Sequence, residues 1–145
     1  MPDGPPRDLI AGILQLANLL TRRLAPLFER AHVTPQQWVV LLALADSASP
    51  LTLAGLARRL MVSKQNMTGM MARLEQLGFA ERRGDPADLR ASRVQLSRRG
   101  RALVEKFRPA YERWRDALGS QLPERDITDV TRTVDRLIDE LQQER

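Results

Sequence analysis

The sequence predicts a mainly α-helical protein carrying one small β-hairpin, on three observations. Both ends of the chain repeat apolar residues at steps of three and four, the period of an amphipathic helix. The middle holds two short, well-capped helical segments joined by only a few residues. After them come two short apolar–polar alternations on either side of a Gly-Asp-Pro turn, the pattern of paired strands.

The elements follow in chain order. Residues 1–8, MPDGPPRD, are expected to be a flexible lead rather than an export signal, because no basic segment precedes an apolar one. Leu9, Ile13, Leu16, Leu20, Leu24 and Leu27 then form one apolar stripe, widened by Ile10, Leu14 and Ala17. That spacing predicts a long helix over 9–30, kinked or ended early by Pro26. Thr34-Pro35-Gln36-Gln37 reads as a capping box with proline at the first helical position, so a second helix should run from Pro35 to Ala45. Asp46 to Pro50 is a loop. Thr52 can cap a third helix, Leu53 to Leu60, and Ser63 a fourth that runs to Leu77 until Gly78 stops it.

Two short helices joined through Met61-Val62 are a helix-turn-helix. Phe79–Arg82 and Arg93–Leu96 are the strands that follow, and Ser97 caps a long helix over 98–118, with Pro109 as a kink. A last helix over 124–142 carries Ile127, Val130, Val134, Leu137 and Leu141 in a coiled-coil-like seam. A helix-turn-helix followed by a hairpin is a winged helix. Residues 9–142 then read as one domain, with the winged helix-turn-helix lobe at 34–100 between long helices at 9–30 and 101–142.

Composition narrows the function. Of 145 residues, 43% are apolar and 28% charged, enough for a packed core and too apolar for general disorder. There is no cysteine, which excludes disulfides, thiolate metal sites and thiol redox sensing. One histidine and no clustered carboxylates in an apolar setting leave no metal site and no nucleophile–base pair, so neither enzyme activity nor a cofactor is expected. No apolar run is long enough to span a membrane, and a cytoplasmic location is expected.

The net charge of +5 is unevenly spread. Residues 58–108 hold thirteen Lys or Arg against five acids, so this segment is +8 and the remainder −3. Such an imbalance points to a polyanion, although a solvated basic face is the ordinary alternative.

The fourth helix opens SKQNMTGMMARLEQLG. Ser63, Lys64, Gln65, Asn66 and Thr68 crowd its first turns with polar groups, while Met67, Met71 and Leu74 make an inward stripe. A recognition helix needs this layout, because amides and hydroxyls match base edges in the major groove and the helix N-terminus favours phosphate. Gly69 is a poor helix residue, costing up to ~1 kcal/mol relative to alanine. Close approach to DNA or to a neighbouring helix would explain it. In the hairpin, Arg90 suits a narrow minor groove, and Asp88 stands close enough to orient its guanidinium. Arg73, Arg83 and Arg93 are phosphate candidates.

With these residues in view, VTPQQWVVLLAL and LTLAGLARRLMVSKQNMTGMMARLEQLGFAERRGDPADLRASRVQLSRRGRAL resemble the MarR (multiple antibiotic resistance regulator) family of bacterial transcription factors. The most specific part is D-x-R, an apolar–polar–apolar strand, then L-[ST]-x-x-G, here Asp88, Arg90, Val94, Leu96, Ser97 and Gly100. Leu74-Glu75 and Gly78 match as well. The family often has a second arginine directly before Arg90, where this chain has Leu89, which leaves minor-groove contact to Arg90.

The resemblance implies a homodimer, expected to repress nearby genes from a pseudo-palindromic double-stranded operator. Helices from both chain ends would form the interface, through Leu9, Ile13, Leu16, Leu20, Val130, Val134, Leu137 and Leu141. The seams support this independently, since they are more apolar than so small a lobe can cover. The resemblance also implies a small phenolic or aromatic effector, for which His32, Trp38 and Phe107 are the nominees and Trp114 a further aromatic. The ordinary reading of Trp38 is core, and of His32 surface or interface. A helical adaptor and a nonspecific DNA binder stay open beside the specific regulator.

Overall fold

The structure, a computed structural model, describes residues 8–84 and 92–143. Six α-helices and three short strands follow the order α1 Leu9–Phe28, α2 Pro35–Ala45, β1 Leu51–Thr52, α3 Leu53–Arg59, α4 Lys64–Gln76, β2 Ala80–Arg83, β3 Arg93–Leu96, α5 Arg98–Gly119 and α6 Glu124–Gln143. A 3-10 turn, Glu29–Ala31, follows α1. The chain divides into two compact units, Met1–Phe107 and Arg108–Arg145.

Local chemistry sets the element boundaries. Both halves of the capping box form at α2: Gln37 N–H donates to Thr34 Oγ1 at 3.1 Å, and Thr34 N–H donates to Gln37 Oε1 at 3.0 Å. Thr52 and Ser63 accept the third-residue N–H of α3 and α4, each at 3.0 Å. Pro26 lies within α1 without ending it.

Three helical segments end the same way. At Gly78 the chain turns left-handed (φ 81°), while Phe79 N–H donates to Leu74 O at 2.9 Å and Gly78 N–H to Glu75 O at 3.0 Å. This is a Schellman termination. Met61 and His32 hold the equivalent place after α3 and after the 3-10 turn, each at φ 58°. Val62 N–H donates to Ala57 O and Val33 N–H to Phe28 O. Neither residue is glycine, so each carries a left-handed backbone at a cost of roughly 1 kcal/mol or more.

The sheet is larger than the expected hairpin. Its order is β1-β3-β2, all antiparallel, with Leu51 opposite Val94 and Thr52 opposite Arg93. The two residues of β1 are too short a run to show alternation, and Thr52 serves at once as strand end and helix cap.

Beneath the sheet lies the core of the first unit. Trp38, Phe28, Leu41, Leu56, Met67, Met71, Leu74 and Val94 are fully buried. Phe28 stacks on Trp38 with ring centroids 4.7 Å apart, and Phe107 tilts against Phe28 at 6.1 Å. The terminal helices are different. In α1 only Phe28 is buried, and Leu9, Ile13 and Leu16 are exposed with Leu20 half-buried. In the second unit α6 buries nothing: Val130, Val134 and Leu141 are exposed and Leu137 half-buried. Among the described residues no helix is long and apolar enough to cross a membrane.

Candidate nucleic-acid interface

Helix α4 turns Met67, Met71 and Leu74 into the core, which leaves Ser63, Lys64, Gln65, Asn66, Thr68 and Arg73 on its exposed face. The first of these is committed: Ser63 Oγ accepts the Asn66 N–H and so fixes the helix start. Thr68 is partly committed. Its hydroxyl donates to Lys64 O at 2.8 Å, so only lone pairs and a methyl remain for an outside partner. That internal bond was not legible from the sequence. The amides of Gln65 and Asn66 stay exposed beside the Lys64 ammonium.

The wing stem is organised by its register. Ala80 pairs with Leu96 and Arg82 with Val94 toward the core, while Glu81 with Gln95 and Arg83 with Arg93 make the outer face. Gln95 Nε2 donates to Glu81 Oε1 at 2.7 Å. Arg83 and Arg93 stand directly opposite one another, both exposed. Like charges in that position destabilise a strand pair, and an anion lying across them removes the penalty. Asp88 and Arg90 lie outside the described residues.

Arg82, on the inner face, is engaged within the fold. Its Nε donates to Glu75 Oε1 of α4 at 2.6 Å, with both side chains about one-third exposed. The bond ties the wing stem to the helix that carries the polar face. Sequence reasoning saw Glu75 only as part of a matching motif, because the two partners meet through space.

The junction after the wing explains Ser97 and Gly100. Ser97 Oγ donates to Gly78 O at 2.5 Å and accepts the Gly100 N–H at 3.0 Å, while Ser97 N–H donates to Phe79 O. A Cβ at Gly100 would stand 2.0 Å from that same Phe79 carbonyl oxygen. Only glycine fits. Three arginines, Arg98, Arg99 and Arg101, then occupy the first turn of α5, where the helix dipole disfavours cations. Arg99 offsets part of this by lying over the Phe79 ring at 5.3 Å. Arg58 and Arg59 end α3 on the surface. The effector nominees are dispersed in character: His32 is exposed, Phe107 half-buried, and Trp38 is 1% exposed within the core.

Known proteins resemble this chain in sequence and in fold. Residues 33–91 match the MarR family model. The transcriptional activatory protein BadR of Rhodopseudomonas palustris (strain ATCC BAA-98 / CGA009) is 35% identical over 87% of this chain and 72% of its own length. The chain belongs to the MarR family. It is a DNA-binding transcriptional regulator of that type, and its relatives are regulators rather than enzymes. Two solved structures share the fold. The S. aureus MepR–DNA complex superposes with a TM-score of 0.82 at 20% identity, covering 93% of this chain and 99% of that one. NadR in complex with 4-hydroxyphenylacetate gives 0.75 at 22% identity, covering 94% and 98%.

Proposed function

We propose that this MarR-family protein binds a pseudo-palindromic operator as a homodimer and represses by occluding the promoter, with release by a small aromatic acid. The observation that carries the reading is the exposed face of α4. Lys64, Gln65 and Asn66 project from a helix start that Ser63 has already satisfied, and among the described residues their side chains make no hydrogen bond or ion pair. Gln65 and Asn66 supply paired donors and acceptors for base edges, with Thr68 as acceptor or methyl contact. Lys64, Arg73, Arg83 and Arg93 supply phosphate contacts. Asp88 and Arg90 are assigned to minor-groove readout on the sequence motif.

Dimerisation is supported by the uncovered apolar residues of α1 and α6, which are too many for a monomer in water. A two-fold dimer would set two recognition helices one DNA turn apart. The effector class is supported by NadR, which holds 4-hydroxyphenylacetate on the same fold. The sign of regulation depends on where the operator lies relative to the promoter; BadR is named as an activator.

The test is fluorescence anisotropy of the purified protein on its own upstream intergenic DNA beside a scrambled duplex, across salt concentrations. A preference of roughly a thousandfold or more at physiological salt is expected. Equal affinities that collapse together as salt rises would support a nonspecific binder. Addition of 4-hydroxyphenylacetate should then release the operator duplex.

A further inference from the structure

We propose that Gly69 is a close-approach position: it lets α4 sink into the major groove far enough for Gln65 to reach the base edges. The inference rests on the operator-reading function above and assigns a role to a residue whose presence the fold does not explain.

Glycine in the middle of a helix ordinarily has one of two causes. Either the backbone needs a left-handed conformation, or a neighbouring atom leaves no room for a Cβ. Neither holds here. Gly69 lies inside α4, Lys64–Gln76, and the glycines with positive φ among the described residues are Gly78 and Gly84. A Cβ built on Gly69 meets nothing within 4 Å. Gly100 shows the contrast, since its missing side chain is required by the Phe79 carbonyl 2.0 Å away. Gly69 therefore weakens its helix without any return among the described residues.

Its angular position indicates where the return lies. The buried side of α4 is marked by Met67, Met71 and Leu74. At about 100° per residue, Gly69 lies about 200° round the helix from Met67, on the line farthest from the core. Gln65, one turn earlier, and Arg73, one turn later, flank it on the exposed face. This line is the crown of the helix, the part that goes deepest when the helix enters a groove. A major groove is about 12 Å wide, and a helix with side chains is about 10–12 Å across, so the fit has almost no slack. A side chain at the crown would hold the backbone off the groove floor. With Gly69 the crown is bare, and the Gln65 amide next to it gains the depth it needs for base contact. Thr68 lies about 100° round from Gly69, on the flank of the helix rather than on its crown.

The experiment compares wild type, Gly69→Ala and the double variant Gly69→Ala/Ala72→Gly, using thermal melts and anisotropy on operator and scrambled duplexes. Ala72 is exposed on the same helix about 60° round from Gly69, so the double variant restores a flexible glycine to α4 while the methyl at position 69 stays. Gly69→Ala should melt a few degrees higher, as helix propensity requires. It should nonetheless bind the operator about tenfold or more weakly, the cost of one misplaced methyl in a tight site, with affinity for the scrambled duplex unchanged. The double variant should stay as weak. Operator affinity at the wild-type level in Gly69→Ala would overturn the proposal. Recovery in the double variant would also overturn it, by showing that flexibility rather than depth is what Gly69 supplies. A wild-type protein with no preference for the operator is a separate result, which strikes the regulator reading itself.

Discussion

Helices α4 and α6 are both amphipathic, yet they spend their apolar faces differently. Met67, Met71 and Leu74 of α4 are completely buried, while Val130, Val134 and Leu141 of α6 remain 54%, 43% and 71% exposed. The lobe around α4 is stabilised by contacts within its own chain. The apolar seam of α6 is left exposed, and α1 shares that condition at Leu9, Ile13 and Leu16. One chain therefore carries a packed lobe and, on the proposed dimer, helices whose stability depends on association. The two kinds of helix should fail in different ways when mutated.

The largest effect should come from the exposed seam. Val134→Asp places a charge at the centre of the α6 stripe, and sedimentation should show monomer, against the dimer proposed for the wild type. Operator affinity should fall by about a hundredfold or more, because one half-site then binds alone. The near-ultraviolet signal of Trp38, stacked on Phe28 inside the lobe, should survive. Loss of that signal would mean that the lobe is not self-sufficient and that the contrast fails.

Leu74→Ala attacks the other side of the comparison. A fully buried leucine replaced by alanine costs about 2–5 kcal/mol, read as a lower urea midpoint. The dimer should persist under native conditions. Gln65→Ala should leave both stability and assembly alone and cost about 1–3 kcal/mol at one base position only, measured on a panel of single-base operator variants. Equal weakening on every duplex would remove Gln65 from base readout. The smallest effect is expected at Met61, whose φ of 58° suits glycine. Met61→Gly should change stability by no more than ~1 kcal/mol, in the stabilising direction, since relief of the left-handed strain is partly cancelled by the freer unfolded chain.

How much of this was legible in the sequence depended on how local the signal was. The α2 boundaries, Pro35–Ala45, follow from a capping box whose two bonds both form. The α6 seam and the strands of the wing follow from periodicity, which survives any tertiary context that buries one face. Three features left no periodic trace. Strand β1 is two residues long, and its partner β3 is some forty residues away. The left-handed turns at His32 and Met61 lack the glycine that would announce them. The Arg82–Glu75 bond joins residues on different elements, so no spacing rule selects it over Arg83 or Arg93. Within the site, residue types marked the polar face of α4 correctly, but not that the Thr68 hydroxyl is already in use.

That Arg82–Glu75 bond has a consequence for discrimination. It ties the wing stem to α4 across two elements, so on the proposed operator-reading function a shift of one would carry the other with it. On that reading, a duplex that satisfies the helix but presents the wrong groove width to the wing should be penalised at both places. Base changes under α4 and shape changes under the wing should therefore combine to more than the sum of their separate costs, and selectivity becomes a property of the joint fit.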